Sequence, residues 1–135
     1  MNKSLFALAL GTFALGIAEF VIMAILGNVA EGVGISISQA GHLISAYALG
    51  VTVGAPFLLF ARKMPLKKIM MILAALIMVG NTLAAVATGY WGLLAARFIS
   101  GLPHGCYFGV GAIVAQRLSA PGKEAAAVSM VIAGM

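Results

Sequence analysis

Long apolar segments separated by short polar ones limit this chain to very few folds. A helix needs about 20 apolar residues to cross roughly 30 Å of hydrocarbon, because each residue advances it by about 1.5 Å. The chain has four such runs and the beginning of a fifth: residues 5–29, 37–61, 69–88, 92–116 and 125–135. The pattern predicts an all-α integral membrane protein.

Composition excludes several other classes of protein. With 63% hydrophobic residues, 8% charged residues and a mean hydropathy of +1.14, the 135-residue chain lacks the polar covering of a soluble domain. Cys106 is the single cysteine, so we expect neither a disulfide framework nor a zinc cluster, and no metal or cofactor. The first run is about twice as long as the apolar core of a secretory signal, which favours a retained helix.

The basic residues predict the orientation of the chain. They precede the first run or lie in the second and fourth connections: Lys3, Arg62, Lys63, Lys67, Lys68, Arg117 and Lys123. The first and third connections contain neither lysine nor arginine. The positive-inside rule therefore predicts a cytoplasmic N-terminus, with Glu31 and the Tyr90–Trp91 pair on the outer side. Because topology accounts for the net charge of +5, it does not indicate a nucleic-acid partner.

Two charged residues interrupt the apolar runs, Glu19 in the first and Arg97 in the fourth. Helical rise places Glu19 at ~21 Å and Arg97 at ~22 Å above the inner boundary, so the two levels permit an ion pair. Charges at bilayer depth are costly and usually mark ion or substrate pathways. We interpret Glu19 as the candidate proton carrier and Arg97 as a permanent charge that sets its proton affinity. A static pair that holds a helix bundle together is the alternative.

Among the other polar residues of the predicted spans, two histidines and one asparagine are candidate functional residues. His42 falls in the same outer half as the two charges, and His104 lies deeper towards the cytoplasm, beside Pro103. We regard both, with Asn81, as candidates for lining a substrate cavity. A hydrogen bond to a neighbouring helix is an equal alternative for His104, and the favoured one for Asn81.

Glycine and proline patterns predict close packing and bending. Glycines recur every four residues on one side of the fourth run and on one side of the second, where small residues let helices approach closely. Each of these runs also holds a proline, which removes a backbone hydrogen bond and can bend a helix. The residues concerned are Gly50, Gly54, Pro56, Gly101, Pro103, Gly105 and Gly109.

Three stretches resemble one transporter family. LALGTFALGIAEFVIMAILGNVAEGVGIS resembles the first helix and loop of the drug:proton antiporter branch of the major facilitator superfamily, particularly its arabinose-efflux-like and sugar or purine efflux permeases. ISAYALGVTVGAPFLLF resembles the second helix, and ARFISGLPHGCYFGVGAIV the fourth-helix motif. The resemblance covers essentially the whole chain. It implies that Arg97 is the arginine associated with proton coupling and that Glu19 is the acidic residue of the first helix.

The family's signature loop between helices two and three departs from its usual pattern here. Gly54 is present, but Arg62 and Lys63 replace the usual aspartate–arginine pair, and proline replaces the later glycine. Lys67 and Lys68 keep the basic character. We therefore expect this conformational loop to bind lipid phosphates in place of the usual charge pairing.

The resemblance implies a twelve-helix fold made of two six-helix halves, with the substrate site near the midplane. We interpret the chain as an N-terminal fragment: four transmembrane helices and the start of a fifth. The expected partners are protons, a small-molecule substrate, the lipid bilayer and the remaining helices. The whole protein is expected to export sugars, nucleosides or purines, or drugs, across a bacterial inner membrane.

Two alternatives to this interpretation stay open. One is a four-helix small multidrug transporter that acts as a dimer, and the other is a non-transporting membrane scaffold subunit. Nothing in the sequence resembles a nucleophile paired with a base or a phosphate-binding loop, so we do not expect an enzyme.

Overall fold

The computed structural model of the chain describes residues 3–61 and 63–135, and Arg62 lies outside this described part. The described residues form helices joined by short turns, without a strand. In chain order the helices are α1 (Lys3–Ala24), α2 (Leu26–Val33), α3 (Ile37–Gly54), α4 (Phe57–Ala61), α5 (Leu66–Val86), α6 (Tyr90–Leu118) and α7 (Glu124–Ile132). The all-α prediction is confirmed.

Within residues 3–61 and 63–135, four segments are long and apolar enough to cross a membrane. They are Lys3–Ala24, Ile37–Ala61, Leu66–Val86 and Tyr90–Leu118. The predicted first run extended to residue 29, whereas the structure ends α1 at Ala24 and begins the short α2 at Leu26. Helix α7 follows the fourth segment, where the sequence predicted the start of a fifth.

The two prolines of the apolar runs have different effects. Pro56 separates α3 from α4, and the amide of Leu59 bonds to the Pro56 carbonyl at 3.0 Å as the chain turns into α4. Pro103 instead lies inside α6, which continues through it as a single helix of 29 residues. In a helix bundle, neighbouring groups and small local adjustments compensate for the missing amide hydrogen.

Local capping explains where α3 begins. The Ser36 hydroxyl accepts a hydrogen bond from the Gln39 amide at 3.1 Å, and the Gln39 side chain accepts one from the Ser36 amide at 3.0 Å. This capping box satisfies amide groups that would otherwise lack partners. Gly34 ends α2 with a φ of 70°, a conformation that costs glycine little.

Helix α6 is the central element. It packs against α1, α3, α5 and α7, and its buried residues occur along most of its length. Residues 47 and 51 of α3 lie opposite residues 101 and 105 of α6, so these two helices are parallel. The bond from the Tyr107 hydroxyl to the Leu8 carbonyl, together with that from Arg97 to Ala18, shows that α1 runs antiparallel to α6.

Four glycines bring the backbones of α3 and α6 into direct contact. A β-carbon added at Gly50 would overlap the Phe98 carbonyl oxygen, and one added at Gly101 would overlap that of Tyr47. Gly54 and Gly105 face the opposite backbone in the same way. A β-carbon added at Gly109, on the same side of α6, would make only ordinary contact with a Leu58 methyl carbon, at 3.4 Å.

Buried side chains fill the spaces around this contact. One cluster joins α1, α5 and α6, a second joins α1, α6 and α7, and a third lies near the opposite end, where Ile22, Leu43 and Leu93 meet. Thr12 of α1 donates a hydrogen bond to the Val131 carbonyl of α7 at 2.6 Å. Helix α7 is therefore fixed to α1 as well as to α6.

The alternating helix directions gather the exposed lysine and arginine side chains of the connections at one end of the bundle. Lys63, Lys67 and Lys68 are exposed near the turn between α4 and α5. Arg117 and Lys123 lie at the same end, near the turn between α6 and α7. Glu31 and Trp91 are exposed at the opposite end.

We predict that Gly50→Ala destabilises the protein by about 1–3 kcal/mol, because the added methyl group would overlap a backbone carbonyl that cannot rotate away. Gly109→Ala is the matched control, since its methyl group would meet only the end of a flexible side chain. The measurement is the free energy of unfolding in detergent micelles. Equal stability of the two variants would contradict the proposed packing role of Gly50.

Candidate functional site

Arg97 is the most deeply buried charged side chain among the described residues, with 4% of its surface exposed. Its Nη1 donates a hydrogen bond to the Ala18 carbonyl of α1 at 2.5 Å, and its Nε donates one to the Leu43 carbonyl of α3 at 3.5 Å. The guanidinium carbon lies over the Tyr47 ring, 4.4 Å from its centroid, a distance at which a cation is attracted to an aromatic face. Arg97 therefore connects α6 to both α1 and α3.

Tyr47 and His104 form a second buried contact between α3 and α6. The Tyr47 hydroxyl oxygen lies 2.9 Å from His104 Nδ1, and the two rings meet edge to face at 5.8 Å. Arg97 and His104 are seven residues apart, or about two helical turns, and so project from the same side of α6. Tyr47 lies between them, with its ring against the guanidinium and its hydroxyl against the imidazole.

Glu19 completes this cluster from α1. Its Oε2 lies 3.9 Å from His104 Nδ1, and its side chain keeps 30% of its surface exposed. Although Oε2 itself is buried, it has no hydrogen-bond partner, and the same is true of Arg97 Nη2. Within the described chain, Glu19 and Arg97 do not form an ion pair, although Arg97 bonds to the carbonyl of the residue beside Glu19. We call Glu19, Tyr47, Arg97 and His104 the polar cluster.

The remaining cavity candidates lie apart from the polar cluster. His42 Nδ1 lies 2.7 Å from the Tyr90 hydroxyl, at the exposed end where α3 and α6 begin. Asn81 donates a hydrogen bond to the Ile77 carbonyl at 2.8 Å. An amide side chain can reach the carbonyl four residues earlier on its own helix. The bond therefore lies within α5 and does not link two helices, contrary to the expectation for Asn81.

The conformational loop lies at the basic end of the bundle. Lys63, Lys67 and Lys68 are exposed there, whereas the predicted loop residue Arg62 falls outside the described residues. Gly54 contacts the backbone of α6 at Leu102, and its carbonyl oxygen lies 2.9 Å from the Cys106 sulfur. Gly54 therefore contributes to helix packing in addition to its place in the loop pattern.

An apolar cavity of about 450 Å³ opens between α3, α4, α5 and α6 near the same end. Its lining includes Phe57, Leu58, Leu73 and Cys106, and none of the four residues of the polar cluster. The described residues contain no group of three or more histidine, cysteine or acidic side chains that could hold a metal ion.

Residues 8–135 match the family model of the Major Facilitator Superfamily. This match covers nearly the whole chain. The chain belongs to the Major Facilitator Superfamily. That membership assigns it to a family of membrane transporters, not to an enzyme class, and confirms the family resemblance found in the sequence.

Curated relatives of this facilitator chain are transporters by name. The candidate transporter AraJ of Escherichia coli (strain K12) is 51% identical over 100% of the chain and 34% of its own length. The inner membrane transport protein YdhP of the same organism is 40% identical over 100% of the chain and 35% of its length. A candidate sugar efflux transporter of Helicobacter pylori (strain P12) is 28% identical over 96% of the chain and 33% of its length.

The chain thus spans about a third of the length of the curated relatives that it matches. No solved structure gives a significant match. The four candidate membrane spans agree with part of a larger facilitator fold, and the chain belongs to a family of membrane transporters.

Tyr47 is the member of the polar cluster that the sequence interpretation missed. Tyrosines in membrane helices usually lie at the interfaces, where the hydroxyl group meets water. Tyr47 is ten residues into α3 and only 2% exposed. A tyrosine so far from either end of an apolar run was the available signal, because its buried hydroxyl needs a polar partner on another helix.

We predict that Arg97→Met destabilises the protein by about 1–3 kcal/mol, because it removes charged donors from backbone carbonyls of α1 and α3. Arg117→Met removes an exposed arginine from the end of the same helix and serves as the control. The unfolding free energy in detergent micelles measures both changes. If the two variants are equally stable, Arg97 does not hold these helices together.

Proposed function

We propose that the whole protein to which these helices belong is a proton-coupled exporter of small molecules. In this proposal Glu19 binds and releases the proton, and Arg97 supplies a permanent positive charge beside it. The observation that carries the proposal is the state of Glu19. Its side chain is partly exposed within a candidate membrane-spanning helix, yet Oε2 is buried without a hydrogen-bond partner.

A carboxyl group in this position requires a polar environment. A charged side chain at the centre of a membrane helix costs about 2.5–3.5 kcal/mol on insertion scales, so such residues almost always face a bundle interior or a water-filled cavity. The exposed part of Glu19 is therefore expected to face water or further helices of the transporter and not lipid. A carboxyl group that alternates between charged and neutral forms suits proton coupling.

Arg97 suits the second role because it cannot take part in proton exchange itself. It is fixed by backbone carbonyls on α1 and α3, with the Tyr47 ring against its face. This positive charge is held beside α1 without a direct ion pair to Glu19. A change in the position of α1 relative to α6 would alter the separation between Arg97 and Glu19, which is how helix movement and proton binding would be coupled.

The proposed mechanism is alternating access between two six-helix halves, and the described helices would form part of the first half. The substrate site would lie near the midplane between the halves. His42, Asn81 and His104 remain candidates for lining it, and the glycines of α3 and α6, together with Pro56 and Pro103, would allow these helices to move against each other. Lys63, Lys67 and Lys68 would contact lipid phosphates at the cytoplasmic surface, with the N-terminus on the same side.

Sugars, nucleosides or purines, and drugs form the proposed substrate range. The name of the Helicobacter pylori relative supports sugar efflux, and the name of YdhP supports location in a bacterial inner membrane. Substrate class and direction of transport are properties of the whole protein, so they are tested on the whole protein.

A scaffold role is the second candidate function. The hydrogen bonds of Arg97 to carbonyls on two neighbouring helices favour it, because they give Arg97 a structural purpose that needs no transport. In a scaffold Glu19 would keep one protonation state. A scaffold has no transport activity, so the replacement of Glu19 by glutamine would not change any.

We predict that Glu19→Gln abolishes proton movement coupled to substrate in the whole transporter, because glutamine cannot bind or release a proton there. The measurement uses proteoliposomes that contain a pH-sensitive dye, to which labelled pentoses and hexoses, labelled nucleosides or a fluorescent cationic dye are added. Glu31→Gln is the matched control, since Glu31 is an exposed glutamate outside the four candidate spans.

The expected result is at least a tenfold loss of the proton signal in Glu19→Gln and an unchanged signal in Glu31→Gln. Full proton coupling in Glu19→Gln would refute the role of Glu19. Substrate flux without any proton movement in the unmodified protein would refute proton coupling altogether. Absence of flux for every probe class would favour the scaffold.

A further inference from the structure

Glu19 Oε2 and His104 Nδ1 face each other across α1 and α6. They are 3.9 Å apart, slightly beyond hydrogen-bond distance, and the carboxylate oxygen is buried without a donor. His104 is 9% exposed, and the Phe108 ring lies against it with 5.3 Å between centroids. Glu19 is the more exposed partner, with 30% of its side-chain surface accessible against 11% for His104, so its side chain has more room to move towards Nδ1.

Tyr47 competes with Glu19 for the same imidazole nitrogen. Its hydroxyl oxygen lies 2.9 Å from Nδ1, a hydrogen-bond distance. A neutral imidazole carries one proton, so Nδ1 either accepts from Tyr47 or donates through its own N–H. When Tyr47 donates, the imidazole proton is on the other nitrogen, Nε2, and the Nδ1 lone pair is directed towards Tyr47 and Glu19.

We propose that His104 is the proton-exchange partner of Glu19, and that Tyr47 is the positioning residue that selects the histidine tautomer. This inference rests on the proposed function and names the group that shares the proton with Glu19. In the exchange step the O–H bond of the protonated Glu19 carboxyl group breaks and an N–H bond forms at Nδ1. The products are a carboxylate and an imidazolium that keeps its Nε2–H.

The exchange conserves charge and needs no other reactant. The neutral acid and neutral base become an ion pair, so the net charge of the polar cluster does not change. Tyr47 then no longer donates a hydrogen bond to Nδ1. Instead, the new Nδ1–H donates either to the Tyr47 oxygen or to the Glu19 carboxylate. The proton would thus pass between α1 and α6, the two helices that the hydrogen bond from Arg97 to the Ala18 carbonyl also connects.

Few other ionisable groups bear on this pair. Helix α3 supplies Tyr47, and α6 supplies the Arg97 guanidinium on the far side of the Tyr47 ring. Helix α5 carries Lys67 and Lys68 in its first turn and no ionisable residue from 69 to 86. On α6, Cys106 contacts the Gly54 carbonyl and Tyr107 bonds to the Leu8 carbonyl, so neither is bonded to His104.

The test is solid-state NMR of the whole transporter in liposomes, with histidine labelled with nitrogen-15 in the imidazole ring. Nitrogen shifts distinguish the two neutral tautomers from imidazolium. The His104 signals are assigned by their loss in His104→Gln, and His42→Gln serves as the matched control because His42 bonds to Tyr90, away from the polar cluster.

We expect unprotonated Nδ1 in the neutral unmodified protein, and imidazolium on acidification. Glu19→Gln should lower the imidazolium population of His104 at the same acidic pH by about tenfold, because a neighbouring carboxylate no longer stabilises the cation. Tyr47→Phe, which keeps the ring beneath Arg97, should shift the neutral proton from Nε2 to Nδ1, where Glu19 can accept it. A purely structural role for Tyr47 would not change the tautomer.

An unchanged His104 spectrum in both Glu19→Gln and Tyr47→Phe would overturn this inference. If Glu19→Gln still abolishes substrate-coupled proton movement in that case, the proposed function stands without His104. If His104 responds to both substitutions but transport moves no protons, the pair is real and the proposed function fails. Tyr47→Phe keeps the test decisive if His104→Gln does not fold, since it removes a single oxygen atom.

Discussion

The direct backbone contact between α3 and α6 determines most of what surrounds it. Gly50, Gly54, Gly101 and Gly105 remove the side chains that would separate the two helices, so carbonyl oxygens of one helix lie against α-carbons of the other. In a membrane, helix association depends on close packing and interhelical hydrogen bonds, since lipid is as apolar as the helix surfaces. This contact places Tyr47 between Arg97 and His104, because the two helices run parallel with a fixed offset.

The polar cluster then follows from the need to satisfy buried polar groups. Arg97 cannot lose its charge. Its N–H groups donate to carbonyl oxygens of α1 and α3, and the Tyr47 ring packs against one face of its guanidinium group. The Tyr47 hydroxyl finds the His104 imidazole, which in turn lies next to Glu19. Among the described residues, the two buried side-chain polar atoms without a hydrogen-bond partner are Glu19 Oε2 and Arg97 Nη2, and both belong to this cluster. Unsatisfied buried atoms are rare in folded proteins, and here they coincide with the charges that the transport proposal needs.

Family membership and local chemistry support different levels of the functional conclusion. The match to the Major Facilitator Superfamily makes the chain part of a transporter family, independently of any single residue. Proton coupling depends on Glu19 and its neighbours. The chain spans about a third of its curated relatives, and a substrate site between two halves would involve helices beyond those described. The apolar cavity at the basic end contains no part of the polar cluster, so its size is no guide to the substrate.

The sequence by itself indicated the family and four candidate membrane spans, and it predicted the approximate depth of each charge. Apolar run length limits where a helix can cross a bilayer, and helical rise converts residue number into depth, so residue numbers alone predict that Glu19 and Arg97 lie at one level. Depth says nothing about rotation around the helix axis or about which helices are neighbours. Only the tertiary structure decided that Glu19 Oε2 lies 3.9 Å from His104 Nδ1, that Tyr47 joins the cluster, and that Asn81 bonds within its own helix. Those outcomes depend on how α1, α3 and α6 pack, because side chains from three distant segments must meet within a few ångströms.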